Sequence, residues 1–170
     1  MKNKPAALFT MAIVFWSQST LSLPGSQVSL DISANSLAKI ALYYQNIPLT
    51  GNEFDFSLPV NASTGKFDKT SGLFHLVGNI EQAEIMFAGR EFILNKTDEG
   101  GGVINLTGNF IFDKKTYSVT QKLRLPVLEQ ISQATSENGF RINFSSQLLA
   151  EKYSQGHYAN TFTLLITPVS

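Results

Sequence analysis

The chain has 170 residues, 43% hydrophobic and 15% charged, with 13 basic against 13 acidic residues. This is the composition of an ordinary globular domain, too apolar to stay disordered and too polar for a helical membrane protein. No run of Lys or Arg offers a stripe that would neutralise phosphates, so nucleic acid is not an expected partner.

Residues 1–22 read as a secretory signal peptide. Lys2 and Lys4 precede an apolar run from Pro5 to Trp16, broken only by Thr10, and the polar Ser17-Gln18-Ser19-Thr20 follows. The run is too short to span a bilayer. Thr20 and Ser22 place cleavage before Leu23, and Ser19 is a second candidate position. Cleavage removes two lysines and no acid, leaving 11 basic and 13 acidic residues, and it removes Trp16, the only tryptophan. An exported domain usually has disulfides available to it, yet this chain has no cysteine. It must therefore be held by its core or by a partner.

Behind the signal, Gln27-Val28-Ser29-Leu30-Asp31-Ile32-Ser33 sets Val28, Leu30 and Ile32 on one face and Ser29, Asp31 and Ser33 on the other, the period of a half-buried strand. Ala34 to Tyr44 fits either a short helix capped at Asn35 or Ser36, or a second strand. Ile47 to Asn52 is a turn by its Pro, Gly and Asn content. Phe54, Phe56, Leu58 and Val60 then alternate with Asp55, Ser57 and Pro59, a strand whose proline places it at an edge or an end.

Leu73 to Val77 is a strongly apolar strand closed by Gly78-Asn79. The alternation of Glu84 to Ala88, the Gly89-Arg90 turn and Phe92-Ile93-Leu94 read as a hairpin. Lys96 to Gly102 is a glycine-rich loop. Val103 to Leu106, a turn at Thr107-Gly108-Asn109 and Phe110 to Phe112 follow, and then a long alternating run from Tyr117 to Leu125. Ile131 to Gly139 is a second helix or a long connection. Phe140, Ile142 and Phe144 alternate, and the chain closes on Tyr158, Phe162, Leu164 and Ile166 before Pro168. Eight or more short strands between turn signals, with no sustained helix, specify an all-β sandwich.

No catalytic spacing emerges, so the chain is not expected to be an enzyme. Thiol nucleophiles and thiolate metal sites are absent, and His75 and His157 are far apart in sequence. His75 reads as a strand residue with a satisfied nitrogen and His157 as a turn or strand-entry residue. Asp98 and Glu99 belong to the flexible loop. Gly100-Gly101-Gly102 lacks the Lys-Ser/Thr of a phosphate loop. No catalytic, cofactor-binding or metal-binding residues are assigned.

Four segments carry a resemblance. Val28-Ser-Leu-Asp-Ile-Ser-Ala resembles an N-terminal extension; Ile85-Met-Phe-Ala-Gly-Arg-Glu-Phe a strand, turn and strand; Ser118-Val-Thr-Gln-Lys-Leu-Arg-Leu a late core strand; and Gly156-His-Tyr158 to Pro168 a closing strand. In this order they are similar to chaperone/usher-assembled fimbrial subunits, and more specifically to the cysteine-free alpha-class subunits of colonisation-factor fimbriae.

The resemblance implies an immunoglobulin-like sandwich that is incomplete and is completed by a donor strand from a partner. It divides the chain into a signal peptide (1–22), a donor-strand extension (23–33) and a pilin-like domain (34–170). Val28, Leu30 and Ile32 become the donor side chains, and Tyr158, Phe162, Leu164 and Ile166 lie on the groove-edge strand that pairs with a chaperone. The implied partners are other fimbrial subunits, a periplasmic chaperone, an outer-membrane usher and a host receptor. The implied route runs through the periplasm to a surface fimbrium that supports adhesion.

A rival resemblance is to the periplasmic signalling domain at the start of outer-membrane receptors, a partner-binding βαβ unit. It rests on Leu30 to Ala41, and on Leu128 to Ala134 followed by Phe140 to Phe144. The two readings differ in helix content.

Overall fold

The computed structural model describes residues 36–51 and 53–169. The proposed signal peptide and the Val28, Leu30 and Ile32 extension lie outside the described residues. The described part is all β, with an immunoglobulin-like two-layer arrangement; its only helical pieces are single 3-10 turns at Ile131–Gln133 and Ala150–Lys152. The helical alternatives at both sites therefore give way. Ile40–Tyr44 is a strand, and Ile131 to Gly139 is a connection opening on a 3-10 turn.

The larger layer contains β1 (Ile40–Tyr44), β4 (Phe74–Gly78), β10 (Phe140–Ser146), β7 (Val103–Phe112), β6 (Phe92–Lys96) and β11 (Tyr158–Ala159), in that spatial order. Three short strands hang on it: β2 (Ile47–Pro48) on β1, β3 (Asp68–Thr70) on β10 and β8 (Lys115–Ser118) on β7. The smaller layer is β12 (Leu164–Val169), β5 (Gln82–Phe87) and the first part of β9 (Leu123–Leu128).

β9 joins the two layers. Its residues Leu123 to Pro126 run antiparallel to β5, while Val127 and Leu128 run parallel to β4. The change of partner falls beside Pro126, which has no N–H to give to a ladder and so marks a natural break in one.

Aromatic rings fill the space between the layers. Phe87 of β5 stacks on Phe110 of β7 at 5.7 Å between centroids, and meets Phe144 of β10 at 5.7 Å and Phe92 of β6 at 5.6 Å. These residues are all buried, with Ile85, Ile104, Leu125 and Phe140 around them.

Three expectations are corrected. The Glu84 to Leu94 stretch is not a hairpin: β5 pairs with β9 and β12, and β6 pairs with β7 and β11. Residues 88–91 instead carry the chain from one layer to the other, because Phe87 and Phe92 enter the same core from opposite sheets. The turn at Thr107-Gly108-Asn109 does not form. β7 runs unbroken through it, with Ile104, Leu106, Gly108 and Phe110 all facing inward. Gly108 is needed there for room, since a Cβ would lie 2.6 Å from the Phe144 ring and 2.7 Å from a Val119 methyl. The run from Tyr117 to Leu125 is broken: β8 ends at Ser118, and Val119, buried at the break, gives its carbonyl to the Phe87 N–H at 3.0 Å.

The β1–β2 and β7–β8 hairpins turn on Gln45-Asn46 and Asp113-Lys114, all four at positive φ. Two-residue turns of this hand match the twist of the strands they join, but a left-handed conformation is unfavourable for a side chain such as lysine.

Two outcomes follow. Gly108→Val should destabilise the domain by about 1–3 kcal/mol, as overpacking does, read as a lower urea midpoint at unchanged slope; a midpoint equal to the parent's would show that the Phe144 ring moves aside freely. Lys114→Gly should raise stability by about 0.5 kcal/mol by removing the left-handed penalty, and a lowered thermal midpoint would count against the strain assigned to that turn.

Candidate functional site

The last described strand, β12, is a sheet edge. It pairs along its whole length with β5, from Leu164 opposite Phe87 to Val169 opposite Gln82. On its other side no strand lies among the described residues. Leu164 and Ile166 point toward the core, packed against it yet only half-buried, while Leu165 on the outer face is 43% exposed. The alternation that defines the strand thus leaves an apolar row incompletely covered. Pro168, a residue tolerated mainly at edges, closes the strand.

The four residues read from the sequence as one groove-edge strand fall on three structural pieces. Leu164 and Ile166 are in β12. Tyr158 is in β11, opposite Lys96 of β6 in the larger layer, and its hydroxyl donates to the Ser154 carbonyl at 2.9 Å. Phe162 lies on the crossing between them. The crossing is fixed at both ends: the Asn160 side-chain amide donates to the Ile93 carbonyl at 2.6 Å, and the Thr163 carbonyl accepts from the Ala88 N–H at 2.9 Å. Between those anchors the Phe162 ring is set against Phe92 at 5.2 Å and Phe144 at 5.5 Å. The chain changes layer where the sequence shows only a continuing alternation, because Phe162 reaches the shared core from the crossing.

A second edge lies on β1. Its side chains Ile40, Leu42 and Tyr44 pack on the core but remain half-buried, and β1 pairs with β4 along one side while β2 covers only Tyr43 and Tyr44 on the other.

Residues 53–59, expected as a strand, form none. Within Phe54 to Val60, only Val60 makes an isolated bridge, to Phe67. Even so, their rings pack inward. Phe54 lies 4.6 Å from Tyr44 and 5.4 Å from Phe74, Phe56 lies 6.2 Å from Phe144, and the Lys69 ammonium sits 5.0 Å from the Phe56 ring centre. Sequence alternation found these side chains, but it carries no information about whether a backbone finds a ladder.

Charge lies away from this edge. On the exposed face of β5 and β9, Glu84 takes Lys122 at 2.9 Å and Arg124 at 3.3 Å. Hydrogen bonds from Lys122 first, and then from Arg124, hold its carboxyl below the usual carboxylate range. His75 is buried in β4, with Nε2 2.9 Å from the Thr135 carbonyl and Nδ1 unpartnered; it ties the 129–139 connection to the sheet. His157 lies at the entry to β11, where its N–H donates to Asp98 at 2.7 Å. Among the described residues no three potential ligands converge on a metal position.

What this arrangement offers is main-chain recognition. An edge strand presents unpaired N–H and C=O groups, and an extended peptide laid beside β12 would bond to them while setting alternate side chains over Leu164 and Ile166.

No family model matches the chain, and no curated protein matches it. Among solved structures it is similar to a chain described under the words "Chaperone-tip adhesin complex is vital for synergistic activation of CFA/I fimbriae biogenesis", at 17% identity and a TM-score of 0.49. The similarity covers 77% of this chain and 43% of that one, so the chain spans less than half the length of the protein it matches.

Proposed function

We propose that the chain is a non-enzymatic structural subunit of a surface fimbria, exported through the periplasm and polymerised head-to-tail by donor-strand complementation. The observation that carries this reading is β12: a strand with one neighbour among the described residues, an alternating apolar face and incomplete cover. Such an edge is costly in water and prone to pair with any available strand, so a protein that keeps one needs a dedicated occupant. A periplasmic chaperone strand is the first occupant in this scheme. The extension of the next subunit replaces it at an outer-membrane usher, with Val28, Leu30 and Ile32 seated over the row that contains Leu164 and Ile166.

The contact is heterologous, one surface on each of two different faces, and therefore builds an open fibre rather than a closed ring. Adhesion to a host surface through a receptor belongs to the assembled fibre in this proposal. The rival signalling-domain reading needs a helix packed between strands, and among the described residues there is none.

The test is Leu30→Arg. An arginine cannot enter an apolar row unpaired without a large desolvation cost, so the variant should be exported at the parent's level yet yield no filaments by electron microscopy. Filaments at normal abundance would remove residues 23–33 as the donor strand.

A further inference from the structure

We propose that residues 53–58 are a resident plug, a stretch that fills part of the open flank with side chains alone and is displaced when a partner strand pairs with β12. This rests on the strand-addition reading above and adds to it a competitor carried by the same chain.

Three observations support it. First, the stretch has the form of a strand without the bonds of one. Phe54, Phe56 and Leu58 alternate with Asp55 and Ser57, and Phe56 and Leu58 pack on the core, yet no backbone group of residues 53–58 bonds to another described residue. Its hold is therefore apolar contact, which is non-directional and released by local opening without breaking a ladder.

Second, its position coincides with the flank. Phe54 reaches Tyr44 at the end of β1, and Phe56 reaches Phe144, the ring that Phe162 also meets on the approach to β12. The plug thus spans rings belonging to both edges described above. None of its three apolar side chains is buried: Phe54 is 38% exposed, and Phe56 and Leu58 are half-buried.

Third, the stretch is tethered at both ends and open between them. The Leu49 N–H donates to the Leu42 carbonyl at 2.9 Å on one side, and the Pro59 carbonyl accepts from the Asp68 N–H at 3.1 Å on the other. Gly51, just inside the first tether, has open space around its Cβ position, with nothing nearer than Glu53 at 3.9 Å. The segment can swing out from fixed ends without disturbing β1 or β3.

An incoming strand offers what the plug lacks, since it supplies both side chains and a ladder along β12. Exchange is then favourable overall, but binding carries the cost of clearing the site. Apparent affinity falls by the fraction of molecules in which the site is open.

The recipient for the test is the full chain carrying Leu30→Arg, which leaves residues 36–169 unchanged and disables its own extension. The probe is a synthetic peptide of residues 25–35. Two readouts are followed: amide hydrogen exchange of residues 164–169, and chymotrypsin cleavage after Phe54 and Phe56. With the plug in place, peptide binding should protect β12 and raise cleavage at Phe54 and Phe56 by about tenfold, as local opening becomes the resting state. Adding Phe56→Ala, or separately Leu58→Ala, should raise the apparent peptide affinity by about tenfold as the closed fraction falls.

Protection of β12 with unchanged cleavage and unchanged affinity in both variants overturns the plug and leaves strand addition standing. Peptide that protects β12 only in the Phe56→Ala or Leu58→Ala protein supports it. If β12 gains no protection in any of the proteins, strand addition itself fails, and the plug with it.

Discussion

The structure depends on the Phe144 ring having somewhere to lie. It sits in β10 directly across the ladder from Gly108, and the missing side chain there is the space the ring occupies. From that position it touches Phe87 of the opposite layer, Phe92 of β6, Phe162 on the crossing to β12 and Phe56 of the unladdered stretch. One ring therefore connects both layers, the last strand and the flank. Aromatic pairs at such separations add to the stabilisation from area alone. In a chain without a single cysteine, this cluster takes the position that a disulfide between layers would occupy in many sandwiches.

Alternation was the part of the fold most open to reading from sequence. Phe140, Ile142 and Phe144, Leu73 to Val77 and the closing Leu164 and Ile166 all lie on strands, with the expected residues inward. The pattern worked because each face meets either the core or water, and a one-residue slip would reverse them. It failed where the same local signal has two physical causes. Gly108 between Thr107 and Asn109 has the composition of a turn, yet it is the floor beneath a ring. The Gly89-Arg90 turn between two alternating runs has the composition of a hairpin, yet it joins two sheets. Which case holds depends on residues far along the chain, Phe144 in one and the edge partners of β5 and β6 in the other, and no local window contains them.

The candidate site was legible in part for the same reason. Leu164 and Ile166 were identified by period, whereas Tyr158 and Phe162 were grouped with them because alternation continues across a change of layer. The half-buried row on β1 and the inward rings of residues 53–58 depend on tertiary cover, which sequence period does not report. The donor side chains Val28, Leu30 and Ile32 stand on sequence and resemblance.

The partner change within β9 bears on how the domain would carry load. β12 lies antiparallel to β5 over six residue pairs, so a pull along β12 strains those rungs together in shear instead of peeling them one at a time. β5 passes the strain to Leu123 to Pro126, and beyond the proline the same strand is bonded to β4 of the other layer. Tension applied at the edge is thereby shared across both sheets through covalent backbone. The strand whose proline breaks the hydrogen-bond pattern is also the mechanical link between the layers.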